Sequence, residues 1–65
     1  MSQRNTNLLW LRDLLEHLSA NQQRLEWAED AETVRLLTET MLRDLQRCER
    51  LCEGLRQRTV ARQAV

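Results

Sequence analysis

The chain has 65 residues and no net charge, because ten arginines balance ten acidic residues. A chain of this length forms at most one small domain, so residues 1–65 are treated as a single unit, and zero net charge argues against holding nucleic acid by bulk charge. Thirteen leucines and six glutamines accompany one glycine and no proline, isoleucine, phenylalanine or tyrosine. Since leucine, arginine and glutamine favour helices and strand-favouring residues are scarce, the sequence predicts an all-α fold.

Hydropathy predicts a protein without a membrane segment. The longest apolar run, Leu8–Leu11, is far shorter than the roughly 20 residues that span a bilayer. The first residues, MSQRNTN, lack the apolar core of a signal peptide. We therefore expect a cytoplasmic protein that does not bind membranes.

The first predicted helix covers about residues 6–28. Asn5, Thr6 and Asn7 precede its apolar residues and are candidate N-caps, because their side chains accept hydrogen bonds from free backbone N–H groups. The apolar residues recur at steps of three and four, which is typical of a helix with one buried stripe. The stripe consists of Leu8, Leu11, Leu15, Leu18 and Leu25.

The second predicted helix covers about residues 31–58, after a turn at about 28–31. Continuing the first stripe would place Glu29 and Glu32 in the core, so a break in the helix is more consistent with the pattern. Asp30 is a suitable N-cap for the second helix. Residues 60–65 are predicted to be frayed. The second stripe runs through Val34, Leu37, Met41, Leu45, Cys48, Cys52 and Leu55.

The two stripes predict an antiparallel αα-hairpin, and the chain has more apolar residues than one hairpin can bury. A helix that contacts two neighbours needs a broader apolar arc than a helix that contacts one. We therefore expect two hairpins to pair into a four-helix bundle, or one hairpin to dock on a helical protein partner. The predicted partner interface consists of Trp10, Leu14, Trp27, Leu36 and Leu42.

Cys48 and Cys52 are four residues apart and so share one helix face. Their Cβ atoms would be too far apart for a disulfide, and a zinc site needs about four ligands. Packing as small buried hydrophobes is the favoured interpretation. A metal site formed by the two cysteine pairs of a dimer is the alternative, and no cofactor is predicted.

The arginines of the second helix form a possible binding face. Arg43, Arg47, Arg50 and Arg58 fall on its outer side, where they could contact RNA phosphates or an acidic partner. A solvated helix face is the more ordinary interpretation, because several of these arginines have acidic neighbours three or four residues away.

The predicted layout resembles that of the plasmid-encoded Rop-type RNA-binding dimers, in which a short two-helix hairpin pairs into an antiparallel four-helix bundle. The resemblance covers length and helical layout, with no shared motif, so no functional residues are carried over. Asp13 and His17 could form a base and its orienting group, but no nucleophile accompanies them, and an enzyme is not predicted. The expected function is a non-enzymatic protein–protein interaction module (adaptor, regulator or small chaperone), with an RNA-binding regulatory dimer as the alternative.

Overall fold

The computed structural model describes residues 2–63, with side chains up to residue 59. It contains two α-helices, α1 (Gln3–Trp27) and α2 (Ala31–Gln63), which pack against each other along their lengths. The hairpin is elongated, with dimensions of 53 × 19 × 13 Å, and the described residues include no strand. The predicted all-α helical hairpin is confirmed.

α1 begins earlier than the sequence predicted. Ser2 is its N-cap, and the Ser2 hydroxyl accepts a hydrogen bond from the backbone N–H of Asn5 at 3.2 Å. The candidate caps Asn5, Thr6 and Asn7 instead lie within the helix. Serine and asparagine have similar preferences for the N-cap position, so local sequence does not distinguish the start of the helix.

The turn between the helices consists of residues 28–30. Ala28 adopts an extended backbone, and its N–H donates to the Leu25 carbonyl at 3.2 Å, which ends α1. Asp30 then caps α2, as predicted: its Oδ2 accepts from both the backbone N–H and the hydroxyl of Thr33, each at 2.9 Å. Two local capping arrangements therefore reverse the chain without glycine or proline.

α2 continues beyond the predicted end near Arg58, and its backbone is helical through Gln63. Fraying of residues 60–65 stays a prediction: residues 60–63 have a helical backbone, and Ala64 and Val65 lie outside the described residues. Alanine, arginine and glutamine favour helix, and no proline or glycine follows Gly54 to end it. Neither helix, within the described residues, has a stretch long and apolar enough to cross a membrane.

The core is a seam between the two helices, formed by residues at alternating steps of three and four. Three seam residues are buried: Asn21 and Asp44, which are 2% and 3% exposed, and Cys48, which is 9% exposed. The other seam residues are mostly half-buried. On α1 the seam comprises Asn7, Leu11, Leu14, Leu18, Asn21 and Leu25, followed by Ala28 of the turn, and on α2 it comprises Leu37, Met41, Asp44, Cys48, Leu51 and Leu55.

The predicted stripes enter this seam only in part. Leu15 and Leu45 are 54% and 51% exposed, and Leu8, Val34 and Cys52 are also exposed. Two helices interlock through the residues that point directly at each other, and the neighbouring row of an apolar arc stays outside that contact. In the single hairpin these five positions therefore lie outside the seam, whereas Leu11, Leu18, Leu37, Met41 and Leu55 lie within it.

Candidate interaction surfaces

The hairpin has two broad sides, which differ in composition. On α1, the residues directly after the seam residues Asn7, Leu14 and Asn21 project to one side of the hairpin. Trp10 and His17 project to the opposite side. Because α2 runs antiparallel, the residues after Leu37, Asp44 and Leu51 share the first side. The two sides are therefore lined by different rows of each helix.

The first side carries a leucine face, which consists of Leu8, Leu15, Leu45 and Cys52, with Leu42 at its border. All five residues are exposed. The seam residues that border this face are apolar as well: Leu11, Leu18, Leu25, Met41, Cys48 and Leu55. The apolar arcs of both helices thus point toward this side of the hairpin and only partly toward each other.

The second side carries a groove of about 720 Å³, which we name the Trp10 groove. Leu14 and Leu51 contribute apolar surface to its floor, and the indole of Trp10, 62% exposed, forms part of one wall. The groove is lined by Trp10, Asp13, Leu14, His17, Asp44, Arg47, Arg50 and Leu51.

Polar side chains of the seam lie on this second side. The imidazole Nδ1 of His17 is 2.5 Å from Oδ2 of Asp44, and Arg47 Nη1 is 3.9 Å from Asp44 Oδ1. Asn21 accepts a hydrogen bond from Arg24 at 3.1 Å through its Oδ1. No buried side-chain nitrogen or oxygen among the described residues lacks a hydrogen-bond partner. The polar part of the seam is therefore satisfied on the groove side.

Sequence reasoning missed this polar pair. The signal that could have identified Asp44 is its seven-residue spacing from Leu37 and Leu51, and Asn21 is likewise seven residues from Leu14 and Ala28. A seven-residue spacing within a helix marks one row of a two-helix seam.

The predicted arginine face divides between two places. Arg47 and Arg50 line the Trp10 groove, and Arg43 lies on the same side of α2 by its spacing from Arg47 and Arg50. Arg58 lines a different depression, at the open end of the hairpin, together with Leu55 and the first residues of α1. Trp10, an exposed aromatic residue, shares the groove with Arg47 and Arg50.

The predicted partner interface also does not form one surface. Leu14 lies in the seam, and Trp10 borders the groove, whereas Leu42 lies beside the leucine face. Trp27 and Leu36 are exposed near the turn. Residues that were grouped by being apolar and outside the stripes are therefore distributed over both sides.

The two cysteines have different surroundings. Cys48 lies in the seam, and burial raises the pKa of its thiol, with smaller contributions from Cys52 and Asp44. Cys52 is exposed, and neither residue is in a disulfide. The described residues contain no group of three or more His, Cys, Asp or Glu side chains arranged to hold a metal ion. Asp13 and His17, the pair considered for catalysis, both line the Trp10 groove, but His17 is bonded there to Asp44.

Comparison with known proteins gave no match to a protein-family model, a curated protein or a solved structure. Inference of a function therefore starts from the surfaces of the described residues, of which the leucine face and the Trp10 groove are the most distinctive.

Proposed function

We propose that the chain is a non-enzymatic protein–protein interaction module, an adaptor, regulator or small chaperone, that pairs with a second copy of itself. Two hairpins would pack through their leucine faces into a four-helix bundle. The single observation that carries this proposal is the exposed apolar surface of Leu8, Leu15 and Leu45 beside an apolar row of the seam. A helix in a four-helix bundle contacts two neighbours, so its apolar arc points between them.

The area of the molecule supports the same proposal. The chain exposes 5446 Å², whereas a compact protein of 7.8 kDa would expose about 4,400 Å². With a length of 53 Å and a width of 19 Å, one broad side offers on the order of 1,000 Å². A stable interface buries roughly 800 Å² on each partner, so the side that carries the leucine face is large enough for a dimer.

The distribution of polar groups favours the leucine face over the opposite side as the dimer contact. Asp44, Asn21 and His17 make their hydrogen bonds on the groove side or within the seam. Covering the groove side with a second hairpin would remove water from Asp13, Arg47 and Arg50, which is costly for charged groups. Covering the leucine face removes mainly apolar surface from water. Free cysteines, one of them exposed, are consistent with a cytoplasmic protein.

Sedimentation equilibrium at several protein concentrations tests this proposal. We expect the wild type to have twice the 7.8 kDa mass of the chain, with a concentration-dependent thermal midpoint. Introducing Leu15→Glu and Leu45→Glu together should abolish dimerisation, because two charges would be buried on each copy. The matched control is Leu9→Glu with Leu36→Glu, two exposed leucines outside the leucine face, which should leave the dimer intact. A folded wild-type monomer at every concentration would contradict the proposal.

RNA binding is the second candidate function, and one observation favours it: exposed Trp10 shares a groove with Arg47 and Arg50. Single-stranded nucleic acid is commonly bound by aromatic rings that stack on bases and by arginines that contact phosphates. Two carboxylates, Asp13 and Asp44, lie in the same groove and oppose phosphate binding. The test is retention of a fluorescent single-stranded RNA at low salt. Binding that Arg43→Glu with Arg47→Glu removes would support this function, and its absence in the wild type would exclude it.

A further inference from the structure

The Trp10 groove lies on the side of the hairpin away from the leucine face, so it stays open in the proposed dimer. Its floor is formed by apolar side chains of both helices, Leu14 from α1 and Leu51 from α2. The exposed indole of Trp10 stands beside this floor. Tryptophan is among the residues that most often dominate the binding energy of protein interfaces.

Charge is distributed unevenly between the two walls of this groove. The α2 wall carries Arg47 and Arg50, whose side chains are exposed, and the α1 wall carries Asp13. Asp44 also belongs to α2, but its carboxylate is buried, bonded to His17 and 3.9 Å from Arg47 Nη1. Arg50 forms no ion pair with any other residue that the structure describes. The α2 wall therefore has two exposed arginines against one buried carboxylate, and the charge of Arg50 is available to a partner.

We propose that the Trp10 groove binds an acidic amphipathic α-helix of a partner protein. The apolar stripe of that helix would pack on Leu14, Leu51 and the Trp10 ring, and its Asp or Glu residues would face Arg47 and Arg50. A groove between two packed helices can bind a third helix that lies along it, with apolar anchor residues spaced by one helical turn. Phosphates of RNA fit this groove less well, because its floor is apolar. Asp13 lies on the α1 wall, so the acidic side chains of the partner helix would face α2 only.

The experiment selects the ligand by its chemistry. A displayed library of amphipathic helical peptides of about 20 residues, roughly five to six turns, has leucines on one face and Glu, Gln or Lys at the flanking positions. The library is selected against the Trp27→Phe protein, in which Trp10 is the remaining tryptophan. We expect Glu to be enriched along one flank, and we expect the synthetic peptide to change the Trp10 emission saturably. Its Lys counterpart should bind at least about tenfold more weakly, a difference of about 1.4 kcal/mol.

Variants connect this binding to the groove. Reversing Arg47 and Arg50 to Glu should lower the affinity for the acidic peptide about tenfold or more. A selection repeated with this variant should favour Lys at the flank where the wild type selects Glu. The matched control reverses Arg12 and Arg56 to Glu, which makes the same change in net charge on exposed arginines outside the groove, and it should leave the affinity unchanged. Trp10→Ala should also lower the affinity about tenfold or more by calorimetry.

Several outcomes would overturn this proposal: selection of neutral or Lys-rich peptides, no enrichment at all, or an affinity that is insensitive to the Arg47 and Arg50 reversals. Saturable quenching of Trp10 by a single-stranded RNA, with no peptide selected, would assign the groove to RNA instead. Dimerisation is measured separately by the mass of the protein, so failure of the peptide experiment leaves the leucine-face dimer to be judged on its own.

Discussion

His17 of α1 and Asp44 of α2 are joined across the seam by a hydrogen bond in which Nδ1 lies 2.5 Å from Oδ2. The Asp44 side chain is 5% exposed, whereas that of His17 is half-exposed. The carboxylate is therefore buried in the hairpin, and its imidazole partner is in contact with solvent. Arg47 contributes a more distant charge at 3.9 Å. This pair links two residues that are 27 positions apart in the sequence and that lie near the middle of their helices.

Removing the imidazole should destabilise the hairpin. We expect His17→Ala to lower the free energy of unfolding by about 1 to 3 kcal/mol, because the buried Asp44 carboxylate loses its closest hydrogen bond. Adding Asp44→Leu to His17→Ala should recover most of this loss, since an apolar residue in the seam needs no partner. Urea unfolding at one fixed protein concentration measures both changes. A His17→Ala protein as stable as the wild type would show that the pair contributes nothing.

Gly54 is a position where a small change should increase stability. It lies within α2 with no positive backbone angle, and a Cβ atom built there would have no atom within 4 Å. Gly54→Ala should therefore raise the free energy of unfolding by about 0.5 to 1 kcal/mol, because alanine loses less backbone entropy in a helix. The thermal midpoint should rise by several degrees in a calorimetric scan. Gly54→Val is the control, and its gain in stability should be smaller, because a β-branched side chain is restricted in a helix. An unchanged or lowered thermal midpoint for Gly54→Ala would contradict the conclusion that a Cβ atom fits at this position without contacts.

Alkylation of the cysteines should report on both the seam and the dimer. In dilute protein we expect iodoacetamide to label exposed Cys52 faster than Cys48, which is buried and has a raised thiol pKa. Labelling of Cys52 should slow as protein concentration rises, because the leucine face becomes covered, while Cys48 stays slow throughout. The rates are read by mass spectrometry of the digested protein, with Cys52→Ser as the control for assignment. A Cys52 rate that is independent of protein concentration would argue against burial of this face in a dimer.

Asp30 should give the hairpin an acid-sensitive component of stability. The hydrogen bonds from the Thr33 hydroxyl and backbone N–H lower the pKa of the Asp30 carboxyl from its ordinary value of 3.8. A lowered folded-state pKa means that the stabilisation is complete above the unfolded-state pKa and is lost as pH falls through the folded-state value.

The thermal midpoint of the wild type should therefore fall more steeply below about pH 4 than that of Asp30→Asn, which keeps a capping side chain that does not titrate. Asp30→Ala should be less stable than both at neutral pH. Parallel pH-dependent slopes for the wild type and Asp30→Asn would show that the cap carboxylate does not contribute to the acid transition.

Local sequence was sufficient for the helices and their reversal, but not for their ends. The change of phase between Leu25 and Val34, together with the capping preference of Asp30, predicts the hairpin. The start of α1 was missed because Ser2 and Asn5 are comparable caps, and the end of α2 because the residues after Gly54 favour helix without a stop signal. Helix ends depend on which of several similar local arrangements is occupied, and tertiary contacts can shift that balance.

The candidate surfaces were predicted less well than the fold. Arg47 and Arg50 were identified from spacing, but their proximity to Trp10 depends on the alignment of α1 against α2. A two-residue shift in that alignment changes which residues of one helix face those of the other. The sequence contains no direct measure of this alignment, and the His17–Asp44 pair that marks it joins distant parts of the chain.

The sequence by itself determined that this chain forms two amphipathic helices and the direction in which the apolar arc of each helix points. The tertiary structure alone decided which rows of that arc interlock: Leu11 and Leu18 enter the seam, whereas Leu15 and Leu45 remain exposed. The physical reason is that neighbouring rows of a helix share the same spacing of three and four residues, so periodicity cannot distinguish them. Only the packing of one helix on the other selects a row, and that choice creates both the leucine face and the Trp10 groove.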